Sequence, residues 1–174
     1  MANPRIALQT EWGDLELEIF QDRAPITAQN FLRYVDEHRY TGATFYRVVT
    51  MDNQPNDAIK IEVIQGGLGM GEHPQKLPPI QQETTNLTGI LHTDGVISMA
   101  RLAPDSAHSE FFICINDQPE LDFGGKRNPD GQGFAAFGQV IRGMEVARKI
   151  QQQPADGQWL NPKINVLNIS RVNS

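Results

Sequence analysis

Hydrophobic and polar positions alternate most regularly over residues 12–20, where Leu15, Leu17 and Ile19 interleave with Asp14, Glu16 and Glu18. A period of two marks a strand with one buried and one wet face. Residues 5–9 form a companion strand across Trp12-Gly13. Over 25–37 the spacing lengthens, and Ala28, Phe31, Leu32 and Val35 predict one buried stripe of a helix whose first turn suits Pro25. Residues 44–50 read as a strand, 51–57 as an exposed loop rich in Asn, Asp and Pro, and 59–64 as a strand closed by Gly66-Gly67. Residues 68–94 show little periodicity and predict an ordered loop of unusual length. Strands are expected at 95–100, 110–116 and 134–140, the last after a second long loop at 122–133. Val146, Ala147 and Ile150 place a short helix at 144–151, and Ile164, Val166 and Ile169 mark a final strand. Many short strands with two helices predict a mainly β fold, an antiparallel barrel or sandwich. With no repeat and no linker, residues 1–174 are expected to form one domain.

The chain centres on residues 98–115. Apolar runs (Val96, Ile97, Met99, Ala100, then Phe111, Phe112, Ile113, Ile115) flank a stretch of small and polar residues. Two buried strands joined by such a loop present backbone groups with aromatic side chains at the mouth. The length of 174 residues suffices for a sizeable core. A net charge of −6 disfavours nucleic acid or an anionic membrane as the main partner. Cys114, the only cysteine, excludes an intramolecular disulfide and a cysteine metal cage. No apolar run has the length of a membrane span, and residues 1–10 lack the apolar core of a signal peptide, so a cytoplasmic location is expected.

Conventional catalytic arrangements fail. His38, His73, His92 and His108 show no metal-ligand spacing. Ser106, His108, Ser109 and Glu110 crowd into one loop, where neighbours seldom achieve triad geometry. The glycines at 66–71 and 131–133 lack the strand–loop–helix context of a phosphate site.

Four blocks in order then carry a family resemblance: Phe45-Tyr46-Arg47-Val48, Gln65-Gly66-Gly67, Ser98-Met99-Ala100-Arg101 with Ser109-Glu110-Phe111-Phe112-Ile113, and Phe137-Gly138-Gln139-Val140. In these the chain resembles the cyclophilins from about residue 5 to its last strand. The resemblance implies a closed eight-stranded antiparallel barrel capped by two helices. It implies peptidyl-prolyl cis–trans isomerase activity with neither cofactor nor metal, and as partners proline-containing peptides and unfolded or folding proteins. Arg47 matches the family's catalytic arginine, and Gln65 the glutamine that bonds the substrate backbone. Phe112 and Leu121 match walls of the proline pocket. Ala100 and Arg101 match the segment along which the substrate pairs, Arg101 through its main chain.

The chain also departs from the family. Glu62 and Val63 stand where the pocket phenylalanine and methionine are usual, Glu110 replaces a glutamine, Glu120 a tryptophan, and Phe134 a histidine. The segments between Arg47 and Gln65 and from 122 to 133 are longer than usual. Carboxylates at 62, 110 and 120 predict an acidic rim that favours basic peptides. The alternative function is a cyclophilin-like proline-peptide binding module whose turnover is weakened by a carboxylate paired with Arg47. Loss of the tryptophan predicts poor inhibition by cyclosporin A.

Overall fold

The computed structural model describes residues 2–172. The alternating apolar positions of β1 (Arg5–Thr10) and β2 (Gly13–Ile19) pair antiparallel, and Thr10 closes their turn by donating its hydroxyl to Gly13 O at 2.7 Å. Further strands are β3 (Thr44–Val49), β4 (Val63–Gly67), β5 (Val96–Met99), β6 (Phe111–Cys114), β7 (Ala135–Arg142), β8 (Ala155–Asp156) and β9 (Trp159–Arg171). They run in the order β1-β2-β7-β5-β6-β4-β3-β9, and β9 returns to pair with β1. Eight antiparallel strands thus close a barrel with no free edge. The two-residue β8 pairs only with the start of β9 and lies outside the ring.

Helices cover the barrel. In α1 (Pro25–Asp36) the predicted stripe is buried, and Phe31 packs against Tyr40, Phe111 and Phe137 with ring centroids 5.0 to 5.9 Å apart. A single turn, α2 (Thr85–Thr88), interrupts the loop expected over 68–94, so the helices number three rather than two among the described residues. The last, α3 (Met144–Gln151), buries Val146, Ala147 and Ile150. No helix of the described residues is long and apolar enough to cross a membrane.

The strand expected at 59–64 starts only at Val63. Ahead of it, the Gln54 side chain takes the place of a neighbouring strand. Its Nε2 donates to Ile61 O at 2.7 Å, and its Oε1 accepts from Ile61 N at 3.1 Å. An amide side chain offers the same donor and acceptor as a peptide, so both backbone groups of Ile61 are satisfied without a strand partner, while Glu62 O accepts from Ile115 N at 3.0 Å.

Two predictions follow from the core. A Cβ at Gly138 would lie 2.5 Å from Glu18 O and 3.1 Å from side-chain carbons of Ile19 and Ile97, where β7 passes between β2 and β5. Gly138→Ala should therefore cost about 1–3 kcal/mol, read as a lower urea midpoint at unchanged slope. Second, all three tyrosines are buried. Burial raises the phenol pKa of Tyr34, Tyr40 and Tyr46, and the Glu110 carboxylate adds to the rise at all three. Above the unfolded value near 10 the unfolded chain binds fewer protons than the native one, so stability falls as pH rises. Tyrosinate absorbance should appear only together with unfolding. A component that titrates near pH 10 in the folded protein would contradict this burial.

Candidate active site

The site begins with a bulge in β3. Phe45 pairs with Gly66 and Arg47 with Gln65, which leaves Tyr46 as an extra residue. Phe45 and Val48 enter the barrel core, while the adjacent Tyr46 and Arg47 both turn outward. Without the bulge, strict alternation would have sent one of them inside.

Arg47 is half-buried and held by neutral acceptors. Its Nη1 donates to Gln65 Oε1 at 2.7 Å, and its Nε and Nη2 to Gln158 Oε1 at 3.0 and 2.8 Å. No carboxylate of the described residues pairs with it. Burial pushes the guanidinium pKa down, and the Arg127 charge pushes it further. From Gln65 the network continues inward. Gln65 Nε2 donates to the Tyr46 hydroxyl at 3.0 Å, which donates to Glu110 Oε1 at 2.8 Å. The Glu110 carboxylate also accepts from Gly69 N at 2.7 Å, Leu68 N at 3.3 Å and the Ser109 hydroxyl, with Lys76 Nζ 3.9 Å away.

Beside this polar wall lies an apolar one. Phe112, Val63, Ile61 and Leu121 form a cluster on the outer face of the barrel, with Ala100 and Phe134 packed against it. Phe134 meets Phe112 edge to face at 5.4 Å. Arg101 lies 4.9 Å over the Phe134 ring and donates to both oxygens of Asp130, at 2.8 and 3.0 Å. Those hydrogen bonds hold the Asp130 carboxyl below its ordinary pKa. Behind Phe112, His92 stacks at 5.9 Å and bridges Asp122 and Ser98 at 2.8 Å each. That Asp–His–Ser line resembles a triad, but Ser98 and His92 are buried and no substrate reaches the hydroxyl. The two walls enclose a cavity of about 600 Å³.

Nine of the residues matched to the family's site line this one cavity: Arg47, Val63, Gln65, Ala100, Arg101, Glu110, Phe112, Leu121 and Phe134. Glu120 does not. It sits within the 3₁₀ turn Pro119–Leu121, where Leu121 takes the cavity side, and its Oε1 accepts from Lys126 N at 3.2 Å beside a separate depression. Glu62 also faces away, accepting from Asn116 Nδ2 and Gln151 Nε2 at 3.1 Å each, while Ile61 supplies the apolar wall. The expected acidic rim is therefore corrected. Only Glu110 of the three carboxylates lines the cavity, and its oxygens are occupied by donors.

Sequence reasoning missed Ile61, Lys76, Arg127, Gln158 and Trp159, which also line the cavity. Trp159 stacks on Tyr46 at 6.2 Å and an interplanar angle of 13°, with half its surface exposed. Arg127 rides on the long 122–133 loop, the one signal that pointed toward it. Gln158 carried none. Among the described residues no three His, Cys, Asp or Glu side chains group as a metal site.

The model of the family described as cyclophilin type peptidyl-prolyl cis-trans isomerase/CLD matches residues 5–171. A peptidyl-prolyl cis-trans isomerase of Acinetobacter baylyi is 38% identical over 167 residues, covering 94% of this chain and 80% of that protein. The peptidyl-prolyl cis-trans isomerase B of Escherichia coli is 36% identical over 150 residues, covering 84% of this chain and 83% of its own length. The crystal structure of a cyclophilin-type isomerase from Cryptosporidium parvum shares the fold, with a TM-score of 0.78 over 99% of both chains at 21% identity. With a match that runs from β1 through β9, the chain belongs to the cyclophilin-type peptidyl-prolyl cis-trans isomerase family.

Proposed function

We infer that the chain catalyses rotation about X-Pro peptide bonds and so assists protein folding, with Arg47 as its catalytic residue. The observation that carries this reading is a half-buried guanidinium, unpaired with any carboxylate of the described residues, at the edge of an apolar cavity. Rotation about an amide faces a barrier of about 18–20 kcal/mol. At the top of that barrier the amide is twisted and the prolyl nitrogen regains its lone pair. No bond forms or breaks, so catalysis requires only that the twisted state be held more tightly than either planar one. Arg47 has five N–H groups, of which three are spent on Gln65 and Gln158. Two remain to donate toward the prolyl nitrogen and carbonyl. A fixed charge at a water-poor site needs no reorganisation to do so.

The other roles follow from chemistry. Phe112, Leu121, Val63 and Phe134 offer an apolar wall for a proline ring. A cyclophilin-type isomerase of Cryptosporidium parvum has been solved in the presence of the dipeptide Ala-Pro. Gln65 and the main chain at Ala100 and Arg101 are suited to the substrate backbone. The side chain of Arg101 is already engaged with Asp130 and Gly133 O. The alternative, a proline-peptide binding module with weakened turnover, invoked a carboxylate paired with Arg47, whereas the partners there are two amide oxygens.

Arg47→Ala should lower kcat/KM about a hundredfold, on the order of 3 kcal/mol in the barrier, while the fold persists. Lysine should rescue poorly, because it lacks the planar fork of donors. Near-normal turnover by a folded Arg47→Ala protein in an isomerisation assay would remove Arg47 from the mechanism.

Cyclosporin A should inhibit poorly. The family's tryptophan gives the drug an N–H donor and an apolar face, whereas Glu120 here turns to Lys126 N and the charged Arg127 lines the cavity. A lost hydrogen bond and lost apolar contact predict inhibition about ten- to a thousandfold weaker than in a tryptophan-bearing relative. Titration of activity with the drug checks this, and tight inhibition would show that the tryptophan is dispensable.

A further inference from the structure

The cavity is cationic within an anionic chain. Arg47, Lys76, Arg101 and Arg127 line it against one carboxylate among the described residues, that of Glu110, although the net charge of the chain is −6. Arg101 is committed to Asp130 and Gly133 O, and Lys76 to Gly69 O and Gly71 O at 2.8 and 2.6 Å. Arg47 is reserved for the prolyl amide. Arg127 is different. Its Nη1 donates to Gln54 Oε1 and Ile59 O, each at 2.7 Å, which fixes the guanidinium at the cavity edge. Among the described residues its Nη2 has only Asp57, 3.4 Å away, a carboxylate with 43% of its side chain exposed. Water screens that pair, while the Arg127 side chain itself is only 12% exposed. A clefted charge with apolar walls focuses its field into the cavity, and a guanidinium fork matches a carboxylate.

Resting on the isomerase reading, we propose that the cavity selects proline peptides that carry a carboxylate beside the proline, from an acidic side chain or a chain terminus, with Arg127 as the specificity-determining residue. Lowering of the Arg47 pKa by the Arg127 charge is consistent with the two guanidinium groups sharing one space. The selectivity is the reverse of that expected from an acidic rim. It follows from the two long loops meeting at Arg127.

NMR exchange spectroscopy on N-acetyl, C-amide peptides with Glu, Ala or Lys on either side of proline tests this. An Ala-Pro peptide with a free terminal carboxylate separates the two sources. At low ionic strength the Glu peptide should exceed the Lys peptide about tenfold in kcat/KM, with Ala between, and the gap should shrink in about 0.5 M salt. Arg127→Gln should bring the Glu-to-Lys ratio close to one. Asp57→Asn, which removes the competing carboxylate, should raise it. A purely bracing role for Arg127 would lower all rates alike and leave the ratio unmoved. Equal rates for Glu, Ala and Lys, or a ratio that ignores both substitutions, would overturn the inference while leaving the isomerase intact. Absence of turnover on the Ala peptide as well would overturn the isomerase reading itself.

Discussion

The cavity is built around one guanidinium that is half-buried, fixed and paired with no carboxylate of the described residues. A carboxylate partner would fix Arg47 more strongly, but it would also neutralise the charge it presents to the cavity. Amide oxygens resolve that conflict. Gln65 Oε1 and Gln158 Oε1 accept three N–H bonds and offset the cost of partial desolvation without neutralising the ion. The two acceptors come from opposite sides. Gln65 lies on β4, and Gln158 immediately precedes β9, with β3 between those strands. The strand order β4-β3-β9 is what brings them to one side chain.

The one carboxylate that lines the cavity among the described residues serves structure rather than charge. Glu110 lies against Gly67, where a Cβ would come within 2.8 Å of both its oxygens and where φ is +139°. Only glycine lets a carboxylate settle onto the backbone there and collect the amides of Leu68 and Gly69. Those bonds, with the Tyr46 and Ser109 hydroxyls, bind the start of the 68–94 loop to the barrel. Removing Glu110 would strand several buried donors at once, a larger penalty than the loss of any single bond.

Much of this was legible in the sequence, for reasons that differ by element. The period-2 pattern of β2 and the stripes of α1 and α3 report burial directly, so those elements stand where periodicity put them. The cavity residues on regular strands were placed by their sequence blocks, because a strand fixes which neighbour faces which side. Glu62 and Glu120 failed because both lie outside the regular strands. Ile61, just before Glu62, is bonded to a glutamine side chain and Glu120 sits in a 3₁₀ turn, so sequence offset from a strand no longer fixes direction there. Gln158 and Trp159 were invisible for another reason. Their neighbour is Arg47, more than a hundred residues earlier, and only closure of the barrel brings them together.

The positive character of the cavity has a structural origin of its own. Long loops expose peptide carbonyls that no strand or helix satisfies, and long cationic side chains are among the donors able to reach several of them. Arg127 reaches Ile59 O, Arg101 reaches Gly133 O and Leu102 O, and Lys76 reaches Gly69 O and Gly71 O. Each bond pins a loop that borders the cavity, and each places a positive charge in its wall. Acidic side chains offer no donor at neutral pH and could not do the same bracing. At these three side chains bracing a loop and charging the cavity wall are one act, whereas Asn53 and Gln54 brace the 50–62 segment with neutral amides. Bracing and charge cannot be varied independently at Arg127, whereas at Asp57 the charge can change while the brace remains.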